Sequence, residues 1–454
     1  MLGKASSLNK ELRRQNRRNG KPLRFVWAQL LVLVLLSFGS LNGVYAQSVN
    51  SCHELFQIFE FPASVEKVDP NEPHTIEDVT SYLKSKMGPE IIDYAKDIQT
   101  DFIVLKGHGK KTAEFFKSEN ILRYKELKNP FGAFNVVKVD YKNGRSSVVF
   151  TNVNGNSRYI QVLSFLRLLH VSESKIRVKG FLRSYKSVYA KTFEKIGKAP
   201  DLVIFGFSNT SFEIIAQTHP SLIDGARMYE RNQSYATKKW IKPSFDEHEL
   251  QNMGVQVMTF KNGKTVWFID NEYGDRATVL VDALQDHGVK NILLLGTAGA
   301  LNPQYSVGQM VSPDFYVRAN GSVVASNSVS PRIEKEGEHV HIDSPGLATK
   351  AWLKEQVSDG VDFVDVELQK VSSSIREKVH YETYLIISDV LNSDKPQDYT
   401  KWSEQSRKDT MATLAPVLKD SLKRIGIDSS MAIRKFDIHY FEVAPTPKEE
   451  SSEL

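Results

Sequence analysis

One cysteine, Cys52, is present in the whole chain, so no intramolecular disulfide can form. The fold must hold by burial, and 41% apolar residues over 454 positions suffice for a sizeable core. A long apolar run is also missing. Residues 25–38 form a stretch of about 14 residues, against the roughly 20 that a helix needs to cross a bilayer. An excess of one charge is missing too, once the chain is read in sections. Residues 1–24 hold eight Lys/Arg and one acid, Glu11, a net of +7, and taking this from the overall +5 leaves −2 for the rest. A near-neutral body gives no electrostatic reason to expect nucleic acid as a partner. Gly107-His108-Gly109-Lys110-Lys111 lacks the Walker spacing and reads as a solvated turn. His339 and His341 share one face of an extended segment, but no third ligand accompanies them. They read as a solvated strand, and no metal is implied. No internal repeat is visible.

The basic start runs into the apolar stretch, a Gly/Ser break and Val44-Tyr45-Ala46. Basic region, short apolar region and small-x-Ala ending form a secretory signal pattern over residues 1–46, which predicts export to a periplasm or the exterior. The alternative is an uncleaved membrane anchor at residues 25–38. Arg13-Arg14 lacks the flanks of a twin-arginine signal, and Cys52 lies too far on to be a lipoprotein cysteine.

Residues 47–197 are expected to form a smaller α+β domain. A helical pattern covers 75–94, strand patterns cover 102–105, 134–140 and 147–151, and an apolar helix covers 159–170. Asn143-Gly144 predicts a hairpin turn between the last two strands. After a break at Gly197-Lys198-Ala199-Pro200, strands and helices alternate over 198–444, the signature of a three-layer α/β domain. The runs 255–260 and 265–269 flank Lys261-Asn262-Gly263-Lys264 as a second hairpin. Ala277, Leu280, Val281 and Leu284 mark one helix face, with Gly288 placed to end it. Helices are expected at 349–357 and 400–424 and strands at 361–366 and 381–388. The polar, acidic residues 445–454 are expected to be disordered.

Within the second domain, the apolar run 292–295 leads into Gly296-Thr297-Ala298-Gly299. An unbroken apolar run bounded by glycines predicts a strand covered on both faces, followed by a loop where a ligand can approach bare backbone. Two more strand ends carry chemistry-bearing residues, Val366-Glu367 and Ser388-Asp389. In this order and spacing, with Val307-Gly308-Gln309-Met310-Val311 and Tyr273-Gly274-Asp275-Arg276, the chain resembles the nucleoside phosphorylase/nucleosidase superfamily. The resemblance is nearest to the methylthioadenosine/S-adenosylhomocysteine nucleosidases and covers about residues 200–425. It implies a central mixed sheet, a nucleoside substrate, no metal or organic cofactor, and a homo-oligomer.

Cleaving an N-glycosidic bond builds positive charge on the sugar and negative charge on the leaving base, so an acid must serve the base. The resemblance gives that role to Asp389, against the plainer reading of a turn aspartate. It gives Glu367 the ribose diol, which one carboxylate can hold by two hydrogen bonds. Gly296, Thr297, Ala298, Gly299 and Ser388 would line the base and nucleophile, and Val366 stands where the family packs a methionine on the sugar. Hydrolysis needs a base to orient water. The family's glutamate position falls on Thr210, which leaves Glu213 as candidate and Glu272 as second candidate. Uridine-type phosphorylases carry a phosphate-binding arginine where this chain has Leu294, which favours water as nucleophile. The family's base-stacking aromatic residue is missing near His341-Ile342-Asp343-Ser344-Pro345. The expected reaction is hydrolysis of a purine nucleoside or nucleoside thioether. A phosphorylase and an inactive nucleoside-binding protein are the alternatives.

Overall fold

The computed structural model describes residues 57–428, leaving out 59–61, 76–77, 98, 107–114, 117–119, 128–133, 181–184, 230–254, 271, 314, 318–322, 326–334, 393–396 and 399–403. The expected signal segment 1–46, Cys52, the 107–111 turn and the 445–454 tail lie outside the described residues. Among the described residues, no helix is long and apolar enough to cross a membrane.

Among the described residues two large sheets are built, beside one two-stranded pair. The first has six strands: β1 (Gln57–Ile58), β2 (Asp101–Lys106), β3 (Ile121–Leu127), β4 (Asn135–Tyr141), β5 (Ser146–Val153) and β6 (Ile176–Gly180), in the order β1-β6-β2-β5-β4-β3. Its middle strands β6, β2 and β5 run parallel, and β4 and β3 add antiparallel. The β4–β5 turn forms as expected: Gly144 takes a φ of +81°, and Tyr141 N–H donates to Arg145 O at 2.9 Å. One helical run was expected over 75–94, but two helices form, α1 (Val79–Met87) and α2 (Pro89–Lys96). Gly88, at a φ of +90°, followed by Pro89 ends the first and starts the second. Helix α3 (Asn156–Leu168) crosses from β5 to β6 and is buried almost all round, its apolar residues packed against Phe102, Val104, Phe150 and Val178 and its Ser157, Gln161 and Ser164 buried as well.

The second sheet belongs to a three-layer α/β arrangement. Its main path is β15-β12-β18-β11-β7-β10-β9-β8, with β17 paired to β11 and β16, and β19 paired to β18. The strands are β7 (Leu202–Phe205), β8 (Ile223–Tyr229), β9 (Val255–Phe260), β10 (Thr265–Ile269), β11 (Asn291–Ala300), β12 (Met310–Pro313), β15 (Lys335–Gly337), β16 (His339–His341), β17 (Phe363–Asp365), β18 (His380–Val390) and β19 (Gln397–Asp398); β13 (Phe315–Val317) and β14 (Val323–Ala325) pair apart from it. Alternation along the strands splits the core. Val203, Phe205, Ile292 and Leu294 meet α4 (Lys186–Ile196) and α6 (Asp275–Asp286) on one face. Ile204, Leu293, Leu295 and Ile386 meet α5 (Ser208–Thr218) and α9 (Glu404–Arg424) on the other. Helices α7 (Lys350–Ser358) and α8 (Leu368–Ser372) complete the chain's helical elements considered below.

Strand order decides where a ligand could bind. β10 lies on one side of β7 and β11 on the other, all three parallel. The helices that follow β7 and β10 leave to opposite faces, which opens a crevice at the carboxyl ends of β7 and β11. The first sheet has the same feature at β2, flanked in parallel by β5 and β6.

The two sheets meet at these ends. Asp275, the first residue of α6, accepts the backbone N–H groups of Asn156 and Ser157 at 2.8 and 2.9 Å, and returns its own N–H to Ser157 Oγ at 3.2 Å. Gly274 makes the approach feasible, with a φ of +59° and no room for a side chain: a Cβ there would fall 2.2 Å from Ser157 Cβ. We expect Gly274→Ala to cost about 3 kcal/mol or more in urea unfolding. Gly263→Ala, at a φ of +79° with nothing within 4 Å, should cost only about 1 kcal/mol.

Candidate active site

Residues 296–299 do not form the loop expected from their composition. They lie inside β11, with Gly296, Thr297 and Ala298 in register with Leu385, Ile386 and Ile387 of β18. The glycines continue the ladder because a strand from elsewhere, β17, closes on Gly299 and Ala300 from the other side. A register shift between Ala298 and Gly299 skips Ser388 and sets Asp389 opposite Gly299. Thr297 is the one exposed position of β11. Its neighbour strand β7 stops at Phe205, opposite Leu294, so nothing pairs β11 on that side until β17 begins.

Asp389 leans over Gly299. A Cβ on that glycine would sit 3.1 Å from Asp389 Oδ2 and 3.4 Å from Val364, so the absent side chain is what lets the carboxylate approach the strand. Ser388 Oγ lies within hydrogen-bond reach of Asp389 Oδ1 and, at 3.2 Å, of Ala298 O. β17 runs antiparallel to β11 and leads back toward Thr297, ending in Asp365-Val366-Glu367. Val366 packs against the small cluster of Leu301, Ile342, Leu353, Val361 and Val364. Glu367 is 8% exposed and accepts one long hydrogen bond, 3.4 Å, from Gly274 N–H. Burial, with Asp365 close by, pushes its carboxyl up to about 8.

Asp365 is spoken for. It accepts the N–H groups of Leu368 and Glu367 at 2.8 and 3.3 Å, capping α8, and His339 Nε2 lies 2.7 Å from its other oxygen. His339 is therefore no solvated strand residue: its side chain is 9% exposed. His341 faces Asp343 at 3.4 Å, and Lys370 pairs with the same aspartate, so hydrogen bonds from both hold Asp343 below the usual carboxylate range. The two histidines serve two separate carboxylates. Among the described residues no cluster of three or more metal-ligating side chains forms.

Of the two water-activating candidates, Glu213 is half-buried in the second turn of α5, about 7–8 Å along the helix axis from its first residue, Ser208. Glu272 is buried, 2.7 Å from Arg276 and 3.0 Å from the Tyr189 hydroxyl. Burial raises it, and the Arg276 charge opposes that. A third acid went unread in the sequence. Asp270 ends β10 at the crevice, accepts a hydrogen bond from Ser208 Oγ, and is raised by burial. The strand-end pattern that marked Asp389 also marks Asp270, after Trp267-Phe268-Ile269. Between β7 and α5, Phe207 holds a left-handed conformation, φ +45° and ψ +35°, at the crevice rim. Such strain in a bulky residue persists only where its surroundings fix it.

No protein-family model matches the chain, and no curated protein matches it. Solved structures match about half of it. A uridine phosphorylase from Vibrio fischeri, complexed with 6-hydroxy-1-naphthoic acid, is 12% identical, with 51% of this chain and 93% of that chain covered, at a TM-score of 0.35. A methylthioadenosine phosphorylase from an antarctic soil metagenomic library is 17% identical, covering 50% and 87%, at 0.35. A Schistosoma mansoni purine nucleoside phosphorylase in complex with adenosine is 13% identical, covering 53% and 96%, also at 0.35.

The raised Glu367 carboxyl has a consequence for stability. The unfolded chain would release this proton near the ordinary glutamate value of 4.5 and the folded chain near 8, so the neutral acid's contribution is whole below 4.5 and falls as pH rises to 8. Glu367→Gln should therefore flatten the loss of thermal stability between pH 5 and 8. An unchanged slope would mean the carboxyl is ionised in the fold.

Proposed function

We propose that this chain cleaves the N-glycosidic bond of a purine nucleoside or nucleoside thioether, releasing base and sugar to water. One observation carries the reading: β11 is flanked by β18, which carries Asp389 one residue before its end, and by β17, which leads to Glu367, with Thr297 exposed between. Two carboxylates on either side of a bare strand can do two different tasks. Asp389, reached across Gly299, would donate a proton to the departing base. Glu367 would accept two hydrogen bonds from a ribose diol once ionised. Ser388, Gly296, Ala298 and Gly299 would form the wall beneath the substrate.

Water as acceptor is supported by Leu294, which is buried in the apolar core and carries no charge for a phosphate dianion. The residue orienting that water would be Glu213 on α5 or Asp270 beside Ser208.

Incubation with adenosine, methylthioadenosine and inosine, with and without phosphate, tests the reading by the appearance of free base. We expect release without phosphate and a loss of about 100-fold or more in kcat for Asp389→Asn, the low end of a general acid's contribution. Glu213→Gln and Asp270→Asn assign the water-orienting base by which of them lowers kcat. Strict phosphate dependence would replace water by phosphate. Binding without release, unchanged in Asp389→Asn, would sink the catalytic reading.

A further inference from the structure

The first sheet contributes to the candidate site as well as supporting it. Helix α3 begins where that sheet's parallel strands end, and its first residues interlock with the segment 273–275. Ser157 fills the space over Gly274, accepts the Asp275 N–H, and receives Lys370 Nζ at 2.7 Å. The next residue, Arg158, lays its guanidinium on the Tyr273 ring, 3.9 Å from the centroid, and bonds Gln161 through Nη1. The residue after Tyr273 is Gly274, whose N–H reaches Glu367. A cation from the first sheet's helix thus stands one residue from the backbone donor of the candidate ribose clamp.

We propose that Arg158 is a positioning residue of this site: stacked on Tyr273, it fixes the 273–274 segment against Glu367 and favours the ionised carboxylate that a ribose diol needs. The proposal rests on the nucleoside reading. The charged and titratable groups facing Glu367 come from several elements: Asp365 at the end of β17, Lys370 on α8, Tyr273 before α6, and Arg158 on α3. Asp365 opposes the ionised form. Arg158 and Lys370 favour it, and Lys370 is already shared between Asp343 and Ser157. The Arg158 guanidinium carbon lies 3.9 Å from the Tyr273 ring centroid, close enough for a cation–π contact. Guanidinium stacking of this kind holds geometry that an ammonium cannot reproduce.

The test uses the full chain with Arg158→Met and Arg158→Lys, and reads KM and kcat from pH 6 to 9.5 on adenosine and 2′-deoxyadenosine. The deoxy substrate lacks one of the two hydroxyls a carboxylate would hold. Arg158→Met should raise KM for adenosine roughly tenfold at neutral pH, the equivalent of about one pKa unit, with kcat changed less than about threefold. The pH at which KM improves should move upward, and the adenosine over deoxyadenosine preference should shrink. Arg158→Lys should recover the charge effect on pH but only part of the KM.

A second measurement does not need turnover. In a thermal-unfolding cycle of Arg158→Met with Glu367→Gln, coupling should be larger at pH 9 than at pH 6. If wild type neither binds nor cleaves nucleosides, the nucleoside reading falls, and the proposal for the clamp falls with it whatever the cycle shows. If nucleosides are cleaved while the ribose preference and KM–pH profile are unmoved in Arg158→Met, the inference about Arg158 alone is overturned. A pH-independent cycle would overturn it as well.

Discussion

The carboxylate of Asp275 ties the first sheet's helix α3 to the second sheet's helix α6. Two helices, α3 and α6, meet there N-terminus toward N-terminus. Left alone, that arrangement sets two positive dipole ends against one another and strands several N–H donors. The aspartate resolves both problems by accepting two backbone N–H groups of α3 from the first turn of α6. Charge-assisted bonds of this kind are worth about 1.5–3 kcal/mol each, and more is lost if the donors are left buried without partners. Gly155 and Gly274 are what let the two backbones approach, since a side chain at either would strike Asp275 or Ser157.

Because the joint lies at the carboxyl ends of both sets of parallel strands, it brings together the places where each sheet would naturally receive a ligand. On the first sheet the α3 N-terminus, an anion site by its dipole, is already filled by Asp275. On the second sheet Thr297 stays exposed. The polar side chains at the joint, including Lys106, Asn156, Ser157, Lys370 and Asp343, are tied to one another, so they can be buried without leaving bare charges. Glu367 is the exception. It lies behind this layer with one long hydrogen bond, and burial keeps its proton on.

Local pattern carried much of the fold. The alternating and unbroken apolar runs marked β2, β4, β5, β9, β10 and β18, and the i, i+3, i+4, i+7 spacing marked α6. Strands without that signal went unread. β3 is Ile-Leu-Arg-Tyr-Lys-Glu-Leu, exposed through its middle, and β6 is only five residues long. The segment 296–299 misled for a different reason. A glycine inside a strand and a glycine in a loop look alike until the closing strand is known, and β17 lies more than 60 residues further on. His339 misled likewise, its partner Asp365 being 26 residues away. The candidate carboxylates could be named from strand ends alone. Their surroundings could not, and Arg158 least of all, since it comes from a helix of the other sheet.

The same surroundings bear on how two carboxylates could divide acid from clamp. Their settings run opposite to those proposed tasks: burial raises Glu367, while Asp389 is half-exposed and accepts a hydrogen bond from Ser388. On the nucleoside reading the substrate itself would correct this. A ribose diol gives Glu367 two donors, which stabilise the carboxylate and lower its pKa. A base seated over Thr297 would strip water from Asp389. Each group would then be moved toward its proposed task by the part of the substrate it touches, so a molecule with only one part, free base or free sugar, would prepare only half of the site.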